Sequence, residues 1–402
     1  MVDKPCIHVL LAGGGTGGHI FPNMAIAEAV ARLAQQRDRA TQATFLISNR
    51  PLDRKILDDA CLTGLVLDAA PLSVRPTAAG RFALGYVRAR RAVLQYIHQL
   101  RGQGQTVVMV ATGGFVSAPA VAAARRTQAP TALVNLDAVP GKANRMLARR
   151  VDAVFSCHPG GTLRGGRHNR TPDDESSRRQ TLVAGAAAEV IGLPVRQAAR
   201  ATLDAAAART KLSLDPRRPT LLVTAGSQGA ATINAMMRQL VAGPRIAAAM
   251  LDWQVLHLCG PTMQAELEQA YKSARIPAKV LPFTSEMGVA WAAASLAISR
   301  AGASSVAEVW INATPTIFFP YPFHADNHQR LNAAPLTSRG AAMLCEDLKD
   351  AGRNVEALTP VLTELLRDDV HRERMRQLLR QSRPEDGAFR VARWVVELRD
   401  EG

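Results

Sequence analysis

A chain of 402 residues is too long for one ordinary hydrophobic core and is expected to divide into two domains. Hydrophobic residues make up 47% and aromatic residues only 4%, which predicts an aliphatic, alanine-rich core and excludes a disordered or fibrous chain. The formal charge of +15 favours an anionic partner, a nucleotide or the anionic face of a membrane; without a reader motif or aromatics interleaved with basic residues, no nucleic acid partner is expected.

The first residues carry no long apolar stretch, and the longest nearly apolar runs, such as Val289 to Ile298, fall short of the roughly 18 residues of a spanning helix. Cys6, Cys61, Cys157, Cys259 and Cys345 are odd in number and scattered, as reduced thiols in a cytoplasmic protein would be. A soluble or peripheral protein is the expectation.

In chain order, the apolar run Cys6 to Ala12 leads into Gly13-Gly14-Gly15-Thr16-Gly17-Gly18-His19-Ile20-Phe21-Pro22 and a helical pattern from Met24 to Leu33. That is a strand, a glycine turn and a helix. Backbone N–H groups without side-chain cover, at the positive end of a helix, admit a phosphate or nucleotide sugar, although a turn of this kind also serves packing alone. Further strands are predicted at Ala43 to Ile47, Thr106 to Ala111, Pro130 to Val134 and Asp152 to Phe155, alternating with helical patterns as in a parallel sheet covered on both faces. Between Leu72 and Ile97, apolar residues including Val74, Phe82, Leu84, Val87 and Leu94 interleave with Arg75, Arg81, Arg88, Arg90 and Arg91, the pattern of a helix that touches an anionic membrane surface. Thr112-Gly113-Gly114-Phe115-Val116-Ser117 is a second close-approach turn, and Gly160 to Arg179 reads as an exposed insertion loop.

A second alternating series follows: Thr220 to Thr224, Trp253 to Leu258, Lys279 to Leu281, Leu296 to Ser299 and Thr316 to Phe319. Its first strand runs into Ala225-Gly226-Ser227-Gln228-Gly229. Ser299 to Glu308 is rich in small residues and then helical, offering phosphate donors at a helix start and a carboxylate for a ribose diol. Pro320 to Asn332 is a polar, proline-broken loop dense in hydrogen-bonding side chains, suited to reading a sugar. Val355 to Glu401 is helical in pattern.

The glycine turn, Thr112 to Ser117, Gly226 to Gly229, Ser299 to Glu308 and Pro320 to Asn332 occur in the order found in the MurG family, the bacterial N-acetylglucosaminyltransferases of peptidoglycan synthesis, which this chain resembles from about residue 6 to residue 345. The resemblance implies an α/β GT-B fold, two Rossmann-like doubly wound parallel-sheet domains facing a central cleft. Residues 1–194 are expected to form the acceptor and membrane-facing domain, 195–380 the UDP-GlcNAc domain, and 381–402 a helix returning to the first. The resemblance implies His19 as general base and Glu308 as ribose ligand. It also implies substrate contacts from Thr16, Gly17, Gly18, Asp137, Arg196, Ser227, Gln228, Gly229, Ala303, His328 and Gln329, with Arg196 and Ser227 at the diphosphate and His328 with Gln329 at the GlcNAc hydroxyls. No cofactor or metal is implied, and the chain has no Asp-x-Asp motif. The implied partners are UDP-GlcNAc, a lipid-linked MurNAc-pentapeptide, an anionic membrane at its cytoplasmic face, and proteins of cell-wall synthesis and division.

The chain departs from the family pattern at Val134-Asn135-Leu136-Asp137, where His-Glu-Gln-Asn is usual, and at Leu193 and Ala225. Beside the inverting transferase, a non-catalytic scaffold or another GT-B sugar transferase or epimerase therefore remains an alternative reading.

Overall fold

The computed structural model describes residues 6–15, 17–70, 76–159, 180–224, 231–323 and 326–398. The chain forms two compact units, one of residues 1–196 and 384–402, the other of residues 197–383.

The first unit runs β1 Ile7–Gly13, α1 Gly17–Gln35, β2 Thr41–Ser48, α2 Pro51–Asp59, β3 Gly64–Leu67, α3 Pro76–Gly102, β4 Thr106–Gly113 and α4 Ser117–Arg126. It continues with β5 Thr131–Asn135, α5 Lys142–Leu147, β6 Ala153–Ser156, β7 Gln180–Val183 and β8 Ala186–Val190. Its sheet has the order β3-β2-β1-β4-β5-β6-β8-β7, parallel except for the β7–β8 pair. β1 and β5 are buried along their whole length, as strands covered on both faces must be, which is why they read as unbroken apolar runs.

The second unit contains α6 Ala205–Lys211, β9 Thr220–Thr224, α7 Ala231–Leu240, α8 Pro244–Ala249, β10 Gln254–Leu258, α9 Gln264–Ser273, β11 Ala278–Leu281 and α10 Met287–Ala293. After these come β12 Leu296–Ser299, α11 Ala303–Asn312, β13 Thr316–Phe318, α12 His328–Thr337, β14 Met343–Leu344, α13 Ala351–Arg367 and α14 Asp369–Gln381. Its six parallel strands are ordered β11-β10-β9-β12-β13-β14. Alternation along β9 feeds two cores: Leu221 and Val223 pack with Ile233, Met236, Trp253 and Leu362, while Leu222 packs with Leu256, Trp291 and Phe318.

The last helix, α15 Gly387–Glu397, belongs to the first unit and packs along α1. Arg37 pairs with Glu397 at 3.0 Å, Arg39 donates to the Val396 carbonyl at 2.9 Å, and Arg390 pairs with Glu189 of β8. Val355 to Glu401 reads as one helical stretch in the sequence; the structure divides the C-terminal region into α13, α14 and α15, because Asp368 and Asp386 each cap a new helix.

Candidate active site

In the first unit the strand order reverses between β1 and β4, so the loops leaving their carboxyl ends diverge and open a crevice there. The two loops interlock. Gly114 has φ +78°, and a Cβ on it would lie 2.5 Å from the Gly14 carbonyl oxygen, so the backbones pass where no side chain fits. The first loop is braced from α2: Asp53 Oδ2 accepts from the Gly15 amide at 2.7 Å and from the Ser48 hydroxyl at 2.6 Å, and Arg50 donates to the Gly15 carbonyl at 2.6 Å. Thr16 lies outside the described residues. Gly17 and Gly18 begin α1, the first buried and the second exposed.

His19 is half-buried in the first turn of α1. Its Nδ1 lies 3.1 Å from the Thr112 carbonyl, while the Thr112 hydroxyl donates to the His19 carbonyl at 3.2 Å. A carbonyl only accepts, so this contact assigns the proton to Nδ1 and leaves Nε2 with a lone pair. Burial pushes the imidazole below its ordinary pKa, and Asp137, the Thr112 carbonyl and Asp53 push it back up. The ring is thereby neutral, in the tautomer a base needs.

Asp137 follows β5. In the segment that departs from the family pattern, Val134 and Leu136 are core residues at 0% and 2% exposure, so their substitution adds to the apolar interior. The polar work is carried by Asn135, whose Nδ2 donates to the Asp137 carbonyl at 2.9 Å and whose Oδ1 accepts from Asn144 Nδ2 at 3.1 Å. Arg196 also lies in this unit, its guanidinium 4.1 Å from the centroid of the Phe21 ring on α1.

In the second unit the order reverses between β9 and β12. The residues after β9, including Ser227, Gln228 and Gly229, lie outside the described residues. Arg300, next after β12, is buried; its Nη1 donates to the Phe319 carbonyl at 3.0 Å and pairs with Asp347 Oδ2 at 2.9 Å, and its Nη2 reaches the Thr232 hydroxyl at 2.5 Å. Burial alone would raise Asp347, but hydrogen bonds from Thr232, Asn354, the Lys349 amide and Arg300 overcome it and hold the carboxyl below its usual range. This knot fixes the ends of β12, β13 and β14 together. Gly302 caps α11, Ala303 is its first residue, and no acidic side chain sits in its first turn, so its amides and dipole favour an anion.

Glu308, further along α11, accepts from Trp291 Nε1 of α10 at 2.8 Å. His328 and Gln329 open α12, which packs against α11. His328 Nδ1 lies 2.8 Å from Asp326 Oδ1, and Gln329 Oε1 accepts from the Tyr321 amide at 2.9 Å. The structure therefore groups Gly17, Gly18, His19 and Asp137 in one unit and Ala303, Glu308, His328 and Gln329 in the other. Sequence reasoning missed Asp53, Arg50 and the Arg300–Asp347 pair, none of which stands in a motif with its partner.

Residues 9–156 match the glycosyltransferase family 28 N-terminal domain and residues 220–388 the glycosyltransferase family 28 C-terminal domain. The UDP-N-acetylglucosamine–N-acetylmuramyl-(pentapeptide) pyrophosphoryl-undecaprenol N-acetylglucosamine transferase of Nocardioides sp. is 33% identical over 396 residues, 98% of this chain and 98% of that one. The transferase of the same name from Acidothermus cellulolyticus is 35% identical over 375 residues, 90% of each chain. The chain belongs to this transferase family. Among solved structures, MurG of Acinetobacter baumannii superposes with a TM-score of 0.65 at 24% identity, covering 97% of this chain and 99% of that one. The family's GT-B fold is thus present here, with its two parallel-sheet α/β domains. In its glycine turn the Gly15 amide donates to Asp53, and the Gly14 backbone lies against Gly114 of the second glycine loop.

Proposed function

We propose that the protein transfers N-acetylglucosamine from UDP-N-acetylglucosamine to undecaprenyl-pyrophosphoryl-N-acetylmuramyl-pentapeptide. Near-full-length identity to relatives named for that reaction supports the substrates. The observation that carries the chemistry is His19, neutral and tautomerically fixed at the switch point of the first sheet. In one displacement the acceptor hydroxyl gives its proton to His19 Nε2, its oxygen bonds to C1 of the sugar, and UDP leaves with the electron pair of the broken C1–O bond. A single attack from the far side inverts the anomeric centre.

The amides at the start of α11 and residues Ser227 to Gly229 are assigned to the diphosphate, with Arg196 as a cationic partner for the charge that develops on it. Glu308 is assigned to the ribose, and His328 and Gln329 to the sugar hydroxyls, with Asp137 on the acceptor side. Asp326 and the Tyr321 amide already orient the two α12 side chains.

For the lipid-linked acceptor, peripheral docking through α3 is proposed. No helix among the described residues is long and apolar enough to cross a membrane. Ala89, Val93, Ile97 and Leu100 of α3 are spent in the core, whereas Leu84 and Val87 are 52% and 61% exposed beside exposed Arg81, Arg88 and Arg91. Incubation with UDP-[14C]GlcNAc and a lipid I analogue tests the reading: label is expected in the lipid product, and its absence with a competent acceptor would refute it.

A further inference from the structure

The crevice of the first unit carries at its rim two arginines that the fold leaves without ion pairs. Pro51 opens α2 and restricts the residue before it, so Arg50 stands as an extended N-cap with φ −66° and ψ 135°. Its amide donates to the Ser48 hydroxyl at 3.4 Å, and its Nη1 donates to the Gly15 carbonyl at 2.6 Å. The same guanidinium lies 5.5 Å from the centroid of the Phe115 ring in the second glycine loop. Arg50 thus touches both loops of the switch point, yet it remains exposed, with most of its N–H donors still to offer.

Arg54 stands one helical turn further on, its amide bonded back to the Arg50 carbonyl at 3.4 Å, and it too is exposed. Residues four apart share a helix face. Neighbouring Lys55 is neutralised by Asp59 at 3.1 Å, but among the described residues neither Arg50 nor Arg54 has a carboxylate partner. Asp53 does not compete for them: it is fully buried, and its Oδ2 takes the Gly15 amide, the Ser48 amide and the Ser48 hydroxyl. With the Gly15 amide spent in this way, an anion arriving at the turn is met by the arginines of α2.

We propose that Arg50 and Arg54 bind the pyrophosphate of the acceptor, an inference that rests on the proposed lipid-linked substrate. A pyrophosphate diester carries a negative charge on each phosphate, and a guanidinium presents paired N–H groups to phosphate oxygens. Two guanidiniums one turn apart match two linked phosphates. Gly15 and Phe115 hold one of them in place before the ligand arrives, which lowers the cost of ordering it. Anchoring the anionic end of the acceptor here fixes which hydroxyl of its sugar ring reaches His19.

The test is calorimetry with two short-chain, water-soluble analogues of the acceptor, one carrying the pyrophosphate and one a neutral linker in its place. The wild type is expected to bind the pyrophosphate analogue about tenfold or more tightly than the neutral one. Arg50→Gln and Arg54→Gln each lose about tenfold toward the pyrophosphate analogue and little toward the neutral one. Arg50→Lys restores only part, because an ammonium lacks the paired donors. Affinity for UDP-GlcNAc and co-sedimentation with phosphatidylglycerol vesicles stay as in the wild type. Arg54→Gln leaves the Gly15 contact in place, so it decides the matter if Arg50→Gln loosens the turn. Equal wild-type affinity for the two analogues, or equal losses toward both in folded variants, would overturn the proposal. A fall in donor affinity would move the arginines to the UDP diphosphate, and a fall in vesicle binding alone would move them to lipid headgroups; either result overturns it as well. Discrimination between the analogues that needs both arginines, in a protein that transfers no label, would uphold the site and refute the reaction instead.

Discussion

Trp291 Nε1 donates to Glu308 Oε2 at 2.8 Å, tying the one carboxylate of α11 to the indole of α10. The bond aims Glu308 by spending one of its oxygens, so a truncation to alanine would disturb Trp291, itself a buried core residue, together with any ligand. Glu308→Gln keeps an acceptor for the indole and removes the charge. Calorimetry is expected to show UDP-GlcNAc affinity reduced roughly tenfold or more, as for loss of a hydrogen bond to a charged group. Unchanged affinity in the folded variant would remove the ribose role.

A second expectation concerns pH. His257 lies buried in the second unit, its Nδ1 2.9 Å from the Tyr271 hydroxyl and its Nε2 3.1 Å from Asn234 Oδ1, with Asn234 oriented by its own bond to the Cys259 carbonyl at 2.8 Å. Burial pushes its pKa from 6.5 down to about 3. Above 6.5 both folded and unfolded chains hold it neutral. Below that value only the unfolded chain takes up the proton, so stability falls as the pH drops from about 6.5 toward about 3. Urea unfolding at pH 7 and pH 5 should show a loss about 2 kcal/mol larger in the wild type than in His257→Gln. Equal losses would mean that His257 does not carry this dependence.

Much of this architecture is legible in the residues, and the exceptions have physical causes. β1, β4, β5, β9 and β10 are central strands buried on both faces, and their apolar runs announce them. β3 is a partly exposed four-residue edge strand and β14 only two residues long, too short to carry a period. His19 was visible because its turn is a motif. Asp53 was not, because the bond that makes it matter joins residues 38 apart, and Asp347 stands out only once folding brings it to Arg300. The insertion at Gly160 to Arg179 lies outside the described residues.

The exposed face of α3 gives a third expectation. Arg88 faces Asp68 at 3.2 Å, but both side chains are more than half exposed, so that pair contributes little and leaves the arginine available to headgroups. Arg90 is half-buried, which makes Arg81, Arg88 and Arg91 the better test set. Each basic residue near an anionic surface is worth about 1 kcal/mol. Replacing the three with glutamate should release the protein from anionic vesicles at low salt, where the wild type co-sediments and is released by added salt. Undiminished co-sedimentation of the folded variant would exclude this face.

The central claim, that a His19-dependent transfer of GlcNAc to a lipid-linked acceptor takes place on this scaffold, is tested most directly by parallel assays of the wild type and His19→Ala. Each protein is given labelled UDP-GlcNAc and a lipid I analogue, with donor affinity measured alongside by calorimetry. The account predicts labelled lipid product from the wild type and, in the variant, turnover lower by about 10²–10⁴-fold with donor affinity nearly unchanged. Wild-type turnover that survives the loss of His19, or that falls only as far as donor affinity does, would contradict it.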